Sequence, residues 1–162
     1  NDVEGFLSFS LSVQNRRKSR IGYALENHLE EIFNSCGVYY SRTKITENKS
    51  KPDFIFPSVE KYHDNTFNPQ LLTMLGAKNT CKDRWRQVLS EADKIEYKHL
   101  LTLETAISEN QTNEMKDKKL QLVLPRSLHY TYNNSQQSWI IDFNTFINVV
   151  KEKQKNVYQI RY

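Results

Sequence analysis

Three side chains stand where metal-assisted hydrolysis of a phosphodiester could be carried out. Asp53 directly follows Pro52 and opens a short apolar run that closes at Pro57, so its carboxylate is expected to emerge at the end of a strand. Lys78 ends the apolar run 71–77 and is expected to emerge close by. Glu91 lies beside Val88 and Ile95 on the flank of a helical apolar stripe. Together an Asp, a Glu and a Lys at a sheet edge have the parts such hydrolysis needs. Carboxylate oxygens hold a hard divalent cation. The cation lowers the pKa of a bound water and neutralises charge on the phosphoryl oxygens, while an ammonium positions the water or stabilises the transition state. Each residue also has a plainer role, since a Glu at the border of an apolar stripe is ordinarily a solvated charge. Glu26, beside Phe33 on another stripe, has the same two readings.

The elements that must position these groups follow from periodicity. Over residues 17–36, Ile21, Ala24, Leu25, Leu29, Ile32 and Phe33 recur at helical spacing and Gly37 supplies the stop. Residues 38–43 read as a short strand, 48–51 as a polar turn, 53–56 as a strand, and 58–69 as a loop rich in Asn, Asp and Pro. The run 71–77 has strand length. Residues 82–95 fit a helix through Trp85, Val88, Leu89, Ala92 and Ile95, which places Arg84 and Glu91 two turns apart on one flank. Two buried strands, 98–103 and 120–124, and a helix over 142–152 with Asp142 as N-cap complete the chain. Helices alternating with short apolar strands predict an α/β domain around a central sheet.

Composition narrows the classes. A chain of 162 residues is one ordinary domain, and 38% hydrophobic residues with only four Gly and four Pro exclude disordered and fibrous types. The net charge of +4 and pI near 9.0 lean towards a polyanionic partner. Two cysteines, Cys36 and Cys81, are too few for a disulfide framework and lack zinc spacing, so a reducing cytoplasm is expected. No segment reads as a membrane span or secretion signal, and no membrane partner is expected. His63, His99 and His129 lack metal-ligand spacing, and no nucleophile-elbow glycines accompany the serines, so triad chemistry is unsupported. Trp85 and Trp139 read as core. The first residue is Asn1, which suggests a processed chain or a domain cut from a longer protein.

The segment GAKNTCKDRWRQVLSE (76–91), with PDFIFPS at 52–58 and YH at 62–63, resembles the EcoRII-type restriction endonucleases of the PD-(D/E)xK nuclease superfamily. The resemblance continues through NRRKSRIGYALENHLEEIF (15–33), EADKIEYKHLLTLE (91–104), AISENQTNEM (106–115) and LQLVLP (120–125), and so covers nearly the whole chain. It implies a restriction-endonuclease-like α/β core, a central mixed sheet of about five strands flanked by helices, in a single domain over residues 1–162. In that family the second acidic ligand is displaced onto the following helix in a K-x12-E arrangement, and Lys78 and Glu91 have that spacing. By resemblance, Asp53 is the principal metal ligand, Glu91 the relocated one, Lys78 the catalytic lysine, Glu26 an additional acidic residue and Tyr62 an active-site tyrosine. The cofactor implied is Mg2+.

Resemblance further implies cleavage of double-stranded DNA at a site of the CC(A/T)GG or CCNGG kind, flipping of the central bases, and a homodimer matched to a palindrome. A cognate methyltransferase would act on the same site without needing to bind this chain, and some relatives carry an N-terminal effector domain. Lys82, Asp83 and Arg84 then suit a reading head, because Arg donates two bonds to guanine O6 and N7 while Asp accepts from cytosine N4. Arg86, on the helix's other side, is expected at phosphate or at a partner subunit. Arg16, Arg17, Lys18 and Arg20 form a basic run that suits either phosphate contact or a solvated face. Two rival readings are a mismatch or repair endonuclease with the same core, and a sequence-specific DNA-binding module with an inactive site.

Overall fold

The computed structural model describes residues 3–16 and 21–159. Two helices, α1 (Val3–Arg16) and α2 (Ile21–Cys36), precede the sheet. Leu25, Leu29, Ile32 and Phe33 form the buried face of α2. The helix ends where Gly37 turns to φ +71 and Val38 N–H bonds back to the Phe33 carbonyl at 3.2 Å, a left-handed cap that favours glycine.

Five strands follow in spatial order β1-β2-β3-β4-β5: Ser41–Arg42, Phe54–Phe56, Thr73–Lys78, Lys98–Thr102 and Leu120–Val123. The first two pairings are antiparallel and the last two parallel, which is the mixed sheet that the family resemblance implies. One face carries the cluster built on Leu7, Phe33, Phe54, Phe56, Phe143 and Phe146 under α1, α2 and α7 (Phe143–Gln159). The other carries Ile55, Met74, Trp85, Leu100, Met115 and Leu122. Against that second face lie the short helices α3 (Val59–His63) and α4 (Trp85–Leu89), with α5 (Glu109–Asp117) and α6 (Asn134–Gln137). No helix among the described residues is long and apolar enough to cross a membrane.

Several expected elements differ, each for a local reason. The strand expected over 38–43 shrinks to two residues because the Gln154 side chain on α7 takes both backbone groups of Tyr39, at 2.9 and 2.7 Å. The loop expected over 58–69 contains α3, started by Ser58, whose hydroxyl accepts from Lys61 N–H at 3.1 Å. Pro69–Leu71 form a 3₁₀ turn, so β3 begins at Thr73 and runs through Lys78.

The largest correction concerns residues 82–95, expected as one helix. Lys82–Arg84 are a 3₁₀ turn, α4 is only five residues long, and Glu91 lies in the turn beyond it. The Ser90 hydroxyl and N–H both bond the Gln87 carbonyl, at 2.8 and 3.2 Å, and Ala92 adopts φ +54, which an α-helix cannot continue through. Trp85, Val88, Ala92 and Ile95 are all buried nonetheless, so the apolar spacing is obeyed by a tighter, non-helical path. Glycine permits the close approach of α4 to the sheet: a Cβ on Gly76 would stand 2.9 Å from Val88 Cγ2.

Candidate active site

Asp53 stands at the mouth of β2, and its side chain continues the strand pairing. Beyond the last β2–β3 pair, Phe54 with Leu75, Asp53 Oδ2 accepts from Ala77 N–H at 2.7 Å. The same oxygen accepts from Lys78 Nζ at 3.2 Å, and the Asp53 carbonyl accepts from Thr43 N–H at 2.9 Å. Asp53 is buried, with 11% of its side chain left exposed. Lys78 is the final residue of β3, so one strand end delivers the ammonium and its neighbour the carboxylate.

Glu91 reaches the same place from the turn after α4. Its Oε2 is buried without a hydrogen-bond partner. Burial, opposed by the Lys78 ammonium and reinforced by the Asp53 carboxylate, pushes its pKa up to about 7. Glu26 arrives from α2. Burial raises its pKa and the adjacent Asp53 carboxylate raises it further, against the pull of Arg42. Arg42 donates to Glu26 at 3.1 Å, to Glu30 at 2.7 Å and to Asn27 at 2.8 Å, tying the edge strand β1 to α2. Of the five catalytic candidates, four therefore converge: Asp53, Lys78, Glu91 and Glu26.

Tyr62 does not join them. Its buried hydroxyl donates to Glu47 Oε1 and accepts from Lys94 N–H at 3.1 Å, so its bonds go to the turns around Glu91. Burial and the Glu47 carboxylate raise its pKa, holding the phenol neutral.

The donor set suits a hard cation. Two carboxylates, Asp53 and Glu91, lie near enough to interact electrostatically, Glu91 has an unpartnered buried oxygen, and oxygen donors are what a hard cation takes. Among the described residues no three His, Cys, Asp or Glu side chains form a preassembled metal cluster, so a cation held by Asp53 and Glu91 would draw its remaining oxygens from water and substrate.

The reading-head candidates follow directly after Lys78. Lys82, Asp83 and Arg84 are exposed on the 3₁₀ turn. Glu104 Oε2 anchors this turn by accepting from the N–H groups of Cys81 and, at 3.1 Å, Lys82. Arg86 is held within the chain: it bonds Asp83 at 3.2 Å and Glu114 at 2.9 Å, and its guanidinium lies 4.4 Å from the Trp85 ring centroid. Arg86, expected at phosphate or at a partner subunit, makes these contacts within the chain while its side chain stays partly exposed. Arg17, Lys18 and Arg20 lie outside the described residues. Sequence reasoning missed Arg42, Glu47 and Glu104, whose roles depend on long-range pairing; no local spacing marks them.

Residues 1–147 match the family described as EcoRII C terminal. The chain is 47% identical over 146 residues to the type II restriction enzyme EcoRII of Escherichia coli, covering 90% of this chain and 36% of that protein. It is 23% identical to the type II restriction enzyme SsoII of Shigella sonnei, over 94% of this chain and 52% of that one. Among solved structures, metal-depleted Ecl18kI in complex with uncleaved DNA matches with TM-score 0.75 at 23% identity, covering 94% of this chain and 52% of that one. A complex of restriction endonuclease PspGI with substrate DNA matches with TM-score 0.68 at 19% identity, over 92% of this chain and 67% of that one. These structural likenesses establish the fold, and the chain spans about half or less of the length of the two curated relatives.

Proposed function

The chain belongs to the EcoRII C-terminal family, and from that premise we propose that it is the catalytic domain of a type II restriction endonuclease, hydrolysing phosphodiester bonds of double-stranded DNA with Mg2+. The observation that carries this reading is the Asp53 carboxylate, gripped by Ala77 N–H and Lys78 Nζ, close enough to Glu91 that both Asp53 and Lys78 act on its charge, while Glu91 keeps a buried oxygen without a partner. Asp53 and Glu91 would hold the cation, which when bound would supply Lewis-acid activation of water and charge neutralisation at the scissile phosphate.

The remaining steps belong to the chain's own groups. Lys78 extends its ammonium beside Asp53, where it orients the attacking water and stabilises negative charge gathering on the phosphoryl oxygens. Glu26, fixed by Arg42, keeps a second acidic group beside Asp53. Burial of the carboxylates keeps this chemistry out of bulk water, where charge interactions are strongly weakened.

Specificity is assigned to the turn after Lys78. Arg84 donates to guanine O6 and N7, and Asp83 accepts from cytosine N4, with Lys82 beside them. A site of the CC(A/T)GG or CCNGG kind, read by a homodimer with one active site per strand, matches that chemistry. We place the protein in the cytoplasm, protecting against DNA unmodified by a methyltransferase of the same site.

The test is incubation with plasmid DNA carrying CC(A/T)GG sites, with Mg2+ or with EDTA, followed by run-off sequencing of the ends. Discrete Mg2+-dependent cuts at those sites are expected. Sequence-specific binding with no cutting under Mg2+ would replace the reading with a non-cleaving binding module, and preference for mismatched duplex would replace it with a repair endonuclease.

A further inference from the structure

The turn that carries Glu91 is held from both sides by a segment remote in sequence. Residues 46–50 form a closed turn: Thr46 N–H bonds the Ser50 carbonyl at 2.8 Å, and Ser50 N–H bonds the Glu47 carbonyl at 2.9 Å. From this turn, Ser50 Oγ donates to the Ser90 carbonyl at 3.4 Å, immediately before Glu91. Glu47 Oε2 accepts from Asp93 N–H at 3.3 Å, two residues after it. The other oxygen of Glu47 accepts from the Tyr62 hydroxyl, which itself accepts from Lys94 N–H at 3.1 Å. Lys94 Nζ closes the ring by donating to the Tyr62 carbonyl at 2.7 Å and to Asn65 Oδ1 at 3.0 Å.

Such a clamp has a task here. Glu91 follows a helix of only five residues and precedes Ala92 at φ +54, a left-handed conformation disfavoured for a residue with a Cβ and stable only when its surroundings impose it. Its buried Oε2 has no partner of its own. The carboxylate is therefore located by its backbone, and the backbone by the bonds at Ser90, Asp93 and Lys94. Glu47 is suited to this work as an ionised acceptor: although burial pushes its pKa up, the Tyr62 hydroxyl and the nearby backbone N–H groups outweigh this and hold it below the usual carboxylate value.

We propose that Glu47 is a positioning residue for Glu91, acting through Tyr62 and the N–H of Asp93, and that the site's affinity for its divalent cation depends on this clamp. Tyr62 thereby acts on the site without touching it. The inference rests on the reading of Glu91 as a cation ligand. Groups that orient metal ligands from outside the coordination shell typically change metal affinity or activity by about 10–100-fold when removed.

The experiment compares the parent with Glu47→Ala, Glu47→Gln and Tyr62→Phe, each checked for an intact fold by near-ultraviolet circular dichroism. Four quantities are read: the Mg2+ concentration for half-maximal DNA cleavage, Mn2+ binding by calorimetry without DNA, DNA affinity in EDTA, and amide exchange at Asp93 and Lys94. Glu47→Ala is expected to raise the Mg2+ requirement and weaken Mn2+ binding by about tenfold or more. It should speed exchange at the two amides and leave DNA affinity in EDTA unchanged. Glu47→Gln, which keeps an acceptor for Tyr62 but loses the anionic one for Asp93, should fall between, and carries the test if the alanine variant does not fold. A parent that cleaves, beside folded Glu47 variants with unaltered Mg2+ requirement and Mn2+ affinity, overturns this inference alone. A parent that neither cleaves nor binds Mn2+ overturns the nuclease reading and the clamp's role with it.

Discussion

Glu91 should weaken the metal-free fold at neutral pH, and replacing it with glutamine should make the protein more stable while removing its activity. The folded state binds the Glu91 proton more tightly than the unfolded chain does, with a pKa of about 7 against the usual 4.5. Below 4.5 both states carry the proton and Glu91 costs nothing. Between 4.5 and 7 the unfolded chain releases it first, so stability falls as pH rises through that window and the loss is complete above 7. At about 1.4 kcal/mol per tenfold change in proton affinity, the loss amounts to about 3 kcal/mol. Glu91→Gln cannot ionise and escapes it. In urea unfolding with EDTA, the stability of Glu91→Gln relative to the parent should therefore rise by about 3 kcal/mol between pH 4.5 and pH 8. A relative stability that stays flat across that range would refute the burial argument, and one that falls would reverse it. Saturating Mg2+ should then stabilise the parent by mass action and leave the variant nearly unchanged.

Other perturbations follow from contacts already described. Asp53→Asn and Lys78→Ala should each abolish plasmid cleavage while the protein still melts cooperatively; full cleavage by either would remove that residue from the site. Asparagine is the cleaner choice at 53, because Asp53 Oδ2 also accepts from Ala77 N–H, and alanine there leaves a buried donor unmatched at about 1–3 kcal/mol. Arg84→Ala should lose discrimination at one G·C pair by about 1–3 kcal/mol in competition binding, and equal weakening on unrelated duplexes would mark Arg84 as a phosphate contact instead. Gly76→Ala drives a methyl into Val88 at 2.9 Å and should destabilise the fold by about 1–3 kcal/mol, with partial recovery in the Val88→Ala background; no effect on the melting temperature would contradict the close packing of α4 on β3.

What the sequence made legible depended on range. Helix α2 and strands β2 to β5 could be read because their signals are local: a 3.6-residue period ending at glycine, and short apolar runs ended by proline or polar residues. The convergence of Asp53 and Lys78 followed from each lying at the end of such a run. Helix α5 escaped because its sequence is almost wholly polar and only Thr112 and Met115 are buried. The path of residues 82–95 was misread because burial of Trp85, Val88, Ala92 and Ile95 satisfies a helical pattern without requiring a helix. Glu47 and Arg42 act through partners such as Asp93 and Glu26, which only the folded chain brings near.

The sheet's two borders limit how copies of this domain can associate. Bare strand edges invite pairing with another chain, and proteins guard against it by shortening or covering them. At one border β1 offers only Ser41 and Arg42. At the other, the segment around Ile141 caps β5: Ile141 N–H bonds the Leu122 carbonyl at 3.2 Å, and Leu124 N–H bonds the Ile141 carbonyl at 3.0 Å. Among the described residues, neither border offers a long free ladder onto which a second sheet could grow. Short and covered edges disfavour edge-to-edge growth of one sheet onto the next, and leave helices and loops, whose side chains can encode a specific geometry, as the surfaces suited to a defined contact.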